Sequence, residues 1–165
     1  MGNNALSNSE THIGAVGGNT GFQEVTLSLD TNAYATGEVL ADTQVISNIV
    51  RVKAGTGVIH SFTLLDKDDQ AQALDIVFLR RNVSIGTENA AVSVSDDNAA
   101  QILGVVEIAT TDYIDLVNSQ IVTKTNLGIG FKAEESRDLY IAAISRGTGT
   151  YTASGIVIKV TVLQD

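Results

Sequence analysis

The chain has no cysteine, no proline and no tryptophan. The first absence removes a disulfide framework, a thiolate zinc site and a cysteine nucleophile together. The second rules out a polyproline linker, in a length where average usage would place about eight prolines. Histidine is scarce as well: His12 and His60 are the whole supply. A metal centre of the cupin type needs several imidazoles converging with a carboxylate, and two histidines cannot provide it. Positive charge is also short, with ten Lys and Arg against nineteen Asp and Glu and a net charge of −9. Between residues 82 and 123 stand six acids (Glu88, Asp96, Asp97, Glu107, Asp112, Asp115) and no base. Phosphate backbones and anionic lipid surfaces require clustered Lys and Arg, so neither nucleic acid nor a membrane is expected as a partner. The adjacent Arg80 and Arg81 form the only local positive cluster along the sequence, read as a solvated strand end. No apolar run approaches the roughly 20 residues that span a bilayer. The first residues lack the basic and apolar regions of a signal peptide, so synthesis in the cytoplasm without signal-directed export is expected. Asn82-Val83-Ser84 is then a chance match to the glycosylation sequon.

What is present is 165 residues, one domain by default and long enough to remove roughly 69% of its unfolded surface from water. Thirteen of residues 1–21 are Gly, Asn, Ser or Thr, with only Leu6, Ile13 and Val16 as scattered larger apolar residues besides Met1. Such a segment cannot offset the entropy of its own ordering. It is expected to be an extended arm, either a frayed terminus or a docking element, ahead of a β domain over 22–165. From Phe22 the apolar period becomes two: Val25, Leu27 and Leu29 alternate with polar residues, as do Leu127, Ile129 and Phe131, and Ile156, Ile158, Val160 and Val162. Those are half-buried strands. Denser runs at 58–65, 74–79 and 139–144 predict strands covered on both faces. Further strands fit at 45–52, 105–109, 113–117 and 121–123, for eight to ten in all, with long connections at 30–44 and 86–101. Turn residues separate them, including 30–32, 54–57, 86–89 and 146–149.

Ser95 followed by Asp96 and Asp97 predicts an N-cap and two acids at the positive end of a short helix, running about 95–103 and ended by Gly104. Many short strands without a βαβ rhythm point to an all-β domain: an antiparallel jelly-roll-like β-sandwich with one short helix and an extended N-terminal arm.

No catalytic, cofactor-binding or metal-ligating residue is expected. His60 shares a predicted strand face with Val58, Phe62 and Leu64, the place of a core or interface histidine. No G-x-S-x-G elbow accompanies the serines. Asp66, Asp68 and Asp69 supply carboxylates, but Lys67 interrupts them and the glycine and distal glutamate of an EF-hand loop are missing, so a solvated turn is expected. Neither phosphate-binding glycine motif occurs, so no nucleotide cofactor or small-molecule substrate is implied. Tyr34 and Tyr151, in predicted loops, are the plausible platforms for a sugar ring. Gly128 and Gly130 leave one strand face flat, either for a second chain or for a bulge or tight packing within the subunit.

Four segments, VTLSLDTNAYATGEVLADTQVI (25–46), LLDKDDQAQALDIVFL (64–79), SVSDDNAAQILGVVEIA (93–109) and YIAAISRGTGTYTASGIVIKVTVLQD (140–165), resemble the head decoration, or cement, proteins of tailed bacteriophages, which have a jelly-roll fold. The resemblance covers most of residues 23–165. It implies a homotrimeric, non-enzymatic structural protein on the outer capsid surface of a virion, made in the host cytoplasm, whose partner is the major capsid protein and which stabilises the head. A tail or fibre accessory module binding host glycans through the loop tyrosines is the alternative.

Overall fold

A computed structural model describes residues 19–134 and 136–164. Its ten strands are β1 (Asn19–Thr26), β2 (Val39–Ile46), β3 (Thr56–Asp66), β4 (Leu74–Leu79), β5 (Ile102–Ile108), β6 (Ile114–Asp115), β7 (Gln120–Lys124), β8 (Ile129–Lys132), β9 (Leu139–Ser145) and β10 (Ile156–Gln164). One sheet runs β1-β10-β3-β7-β6, with β8 also paired to β3, and the other runs β2-β9-β4-β5. Every pairing between these strands is antiparallel. The chain alternates between the sheets from β1 to β4, keeps β5 beside β4 and β6 to β8 in the larger sheet, crosses to β9, and returns with the last strand beside the first, as in a jelly roll. The all-β sandwich is as expected. Of the expected arm, residues 1–18 lie outside the described residues, whereas residues 19–21 are already strand, paired to 162–164.

The main core lies between the sheets. Leu27, Phe62, Leu64, Val160 and Val162 meet Leu74, Ile76, Phe78, Ile141 and Ala143 there, and Phe62 and Phe78 stand tilted with ring centroids 6.1 Å apart. A second apolar cluster forms on the outer face of the smaller sheet, where Val77, Leu79, Ala142 and Ile144 are covered by Ile85 with Val83, Val92 and Val94 from the β4–β5 connection. That cover explains why every residue of β4 and all but Tyr140 of β9 are buried. Asp42 holds the connection in place: its carboxylate accepts the Ile85 N–H and the Ser84 hydroxyl, each at 2.9 Å.

Four expectations are corrected. β3, read as covered on both faces, is buried mainly at Ile59, Phe62, Leu64 and Asp66. A bulge against Thr161 and Val162 leaves His60 without a partner in the β10 register, so Ile59 and not His60 joins Phe62 in the core. The strand expected at 45–52 ends at Ile46, and β2 instead occupies part of the expected 30–44 connection. Its pairing with β9 shifts register twice, which blurs the period of two. Ile49 and Val50 are buried as a plug in the following loop, where Asn48 turns the chain at φ 54°. Finally the helix, α1, is only Asp96–Ala99. Ile102 already pairs with Leu79 in β5, and Gly104 lies within that strand, where an added Cβ would stand 3.0 Å from the Ile129 side chain. Gly104 admits a close packing neighbour and does not end the helix. The cap itself is as expected, with Ser95 Oγ accepting the Asn98 N–H at 3.3 Å.

Candidate functional site

Two groups of surface features stand at opposite ends of the sandwich. At one end, β4 finishes beside the loop that joins β8 to β9. Arg80 Nη1 lies 3.4 Å from Glu134 Oε1, Arg81 Nε donates to Glu134 Oε2 at 3.0 Å, and the Arg81 guanidinium also meets that oxygen through its terminal nitrogen. These hydrogen bonds and charges hold the Glu134 carboxyl below its usual range, the Arg81 hydrogen bond contributing most. With Asn82, Ser136 and Tyr140 they line a cleft of about 340 Å³. Arg80 and Arg81 are therefore engaged with a carboxylate, where the sequence suggested a merely solvated strand end. Ser136 Oγ accepts the Asp138 N–H at 2.9 Å, which ties the loop to itself. The cleft is thus lined by two cations and the one carboxylate they share.

At the other end projects the β6–β7 hairpin. Ile114, Leu116 and Val117 are 64%, 51% and 80% exposed. Within the described residues they form the densest run of exposed large apolar side chains in the sequence. Phe22, Val45, Val52, Val105 and Leu163 are the other exposed large apolar side chains among the described residues. Only Ile114–Asp115 pairs as strand, against the 113–117 expected.

Beside the hairpin lies the loop after β3. Asp66 is not a solvated turn residue: it is 1% exposed, and its carboxylate accepts the N–H groups of Asp68 at 3.0 Å and of Gln70 and Ala71 at 2.9 Å. Burial pushes its pKa up against those three donors. The Asp68 carboxylate instead accepts the Thr152 N–H at 2.7 Å, and Asp69 accepts from Gln120 Nε2 at 2.7 Å. The three carboxylates thus diverge onto three separate partners. Among the described residues no group of three or more His, Cys, Asp or Glu is placed to hold a metal ion.

The tyrosines expected as sugar platforms are not available as such. Tyr34 and Tyr151 are 2% and 4% exposed and tilt against each other with centroids 6.2 Å apart. The Tyr34 hydroxyl donates to the Leu40 carbonyl at 3.0 Å and accepts the Asp30 N–H at 2.7 Å, and burial pushes its pKa up to about 12. Their loops fold inward because these rings complete the core. Of the two glycines, Gly128 takes φ +65° in the turn before β8, so a backbone requirement accounts for it. Gly130 lies on the exposed side of β8 beside Val58, with open space where a Cβ would stand. No helix of the described residues is long and apolar enough to cross a membrane.

No family model matches the chain, and no curated protein matches it. Among solved structures, a chain from "Structure of infectious bursal disease virus Gx strain" aligns over 90% of this chain and 40% of its own length, at 12% identity and a TM-score of 0.19. This chain therefore spans well under half of that one.

Proposed function

We propose that this protein is a non-enzymatic structural protein of a tailed-phage virion, a decoration or cement protein that binds the outside of the head as a homotrimer and stabilises it. The supporting observation is where the four resembling segments fall. Residues 25–46, 64–79, 93–109 and 140–165 include β2, β4, α1 with β5, and β9 with β10, together with the ends of β1 and β3. The resemblance thus follows the scaffold of both sheets and is not confined to one loop. A sandwich with a closed core and an apolar hairpin tip fits a clamp that presents small contact patches to large neighbours. Its partner is the major capsid protein, and its place is the outer capsid surface, reached from the host cytoplasm.

The test is a density-gradient separation of virions, free heads and tails, with the copy number measured in each. Hundreds of copies on heads agree with the reading. A few copies on tails replace it with an accessory tail role. Light scattering of the isolated protein is expected to give about three times the monomer mass for a closed trimer.

A further inference from the structure

The bases that are scattered along the sequence come together in space. The loops at residues 47–55, 80–82 and 132–138 contain Arg51, Lys53, Arg80, Arg81, Lys132 and Arg137, against Glu134, Glu135 and Asp138. Among the described residues, six of the ten bases thus stand with two acids, Glu134 and Asp138, while four bases and fourteen acids lie elsewhere. The described part of this end has a local charge of +4 and the other described residues −10.

The loops are locked together by the backbone. Val50 N–H donates to Arg137 O at 3.2 Å, Ala54 N–H to Ser136 O at 3.0 Å and Ala133 N–H to Gly55 O at 2.9 Å, and Arg137 Nε returns a bond to Val50 O at 2.9 Å. Between the anchored Val50 and Ala54, the side chains of Arg51, Val52 and Lys53 stand exposed, Val52 by 63%. Among the described residues none of the ion pairs involves Arg51, Lys53, Lys132 or Arg137.

We propose that this end is a docking surface for an acidic patch on another protein, with Val52 as its apolar centre and Arg51, Lys53, Lys132 and Arg137 as the surrounding cations. The inference rests on this charge map and holds independently of the virion reading. Glu134, seated between Arg80 and Arg81, already shows how carboxylates are received there, since a guanidinium presents paired donors to a carboxylate. A protein patch is favoured over a nucleic acid for two reasons. A duplex carries one charge per about 1.7 Å along its whole length, so it would bring the acidic remainder of the molecule within its field, whereas a compact acidic patch lies within about one Debye length, roughly 10 Å, of the basic end alone. An exposed valine between two cations also suits a protein surface, where an apolar centre ringed by polar contacts is the usual anatomy.

The test uses the full chain and two fluorescent probes: a poly-L-glutamate peptide of about 20 residues and a DNA duplex of about 20 base pairs. The peptide is expected to bind at low ionic strength and to be released above about 0.3 M salt. The double variant Arg51→Glu/Lys53→Glu is expected to weaken peptide binding about tenfold, while Lys67→Glu/Lys159→Glu, with the same change in net charge elsewhere, changes it less than about twofold. The milder pair Arg51→Gln/Lys53→Gln, with circular dichroism on all variants, separates lost binding from lost fold and is expected to give an intermediate loss. Absence of peptide binding to the parent at low salt, equal losses in the two charge-reversed variants, or tighter binding of the duplex than of the peptide would each overturn the proposal.

Discussion

Asp66 concentrates more structure than any other ionisable residue described. Its carboxylate satisfies three successive N–H groups of the loop that leads from β3 into β4, a loop that takes φ 57° at Asp69 and φ 46° at Ala71. Without that acceptor the donors are left beside a buried site. Asp66→Ala is therefore expected to destabilise the fold by about 2–4 kcal/mol, read from urea unfolding. A chelator is expected to leave the melting temperature of the parent unchanged, because each carboxylate of the loop has its own protein partner; a drop that calcium restores would show that the loop binds a cation. Asp112 behaves in the opposite sense. It accepts Lys124 Nζ at 2.6 Å and the Ala109 N–H at 2.7 Å, and these hydrogen bonds, the lysine's foremost, lower its pKa. A lowered folded pKa stabilises at pH above the unfolded value of about 3.9, and that contribution is lost as pH falls through the lower folded value. Asp112→Asn is thus expected to melt below the parent at neutral pH by an amount under about 1 kcal/mol. The gap should close toward pH 2; a gap of constant size would show that packing and not charge is responsible.

At the scale of elements, the β6–β7 hairpin is the one that local rules fit worst. Leu116 N–H donates to Ser119 O at 2.9 Å, closing a two-residue turn in which Val117 takes φ 78°. Glycine is the usual residue at that position of a hairpin turn, and a β-branched side chain there stores strain of roughly 1–2 kcal/mol. Val117 is 80% exposed, so its side chain recovers little by burial. Val117→Gly is expected to stabilise the protein by about 0.5–1 kcal/mol after the extra chain entropy of glycine is counted. A fall in stability would mean that Val117 packs against its neighbours more than its exposure implies. The same hairpin shows why the sequence was readable only in part. The run 113–117 has the composition of a strand, but Asp115 turns its carboxylate onto the Val117 N–H at 2.6 Å and ends the ladder. Where apolar density comes from cover on both sides, as in β4 and β9, it is plain along the chain. Where it comes from a bulge, as at His60, or from a plug such as Ile49 and Val50, period-two reading misplaces it. The candidate site was harder still. The basic end is assembled from three loops, and only the Arg80 and Arg81 pair is adjacent in sequence.

For the whole molecule, the boundary between the expected arm and the sandwich has a mechanical consequence. β1 begins at Asn19, and its first three residues pair with Gln164, Leu163 and Val162. Gln164 in turn donates from Nε2 to the Ile49 carbonyl at 2.7 Å, so the start of β1 is coupled through β10 to the loop that plugs the basic end. A truncation that stops after residue 18 leaves this edge intact; one that stops after residue 21 removes three paired positions from it. The first is expected to melt with the parent, and the second to lose about 1–2 kcal/mol through lost edge pairing and a loosened plug. If the arm docks along a partner, as its composition allows, the shorter truncation also weakens attachment to heads while circular dichroism stays unchanged. Equal head binding by the parent and the 19–165 chain would show the arm to be idle. A melting temperature already lowered by removing residues 1–18 would show that the sandwich depends on the segment before Asn19.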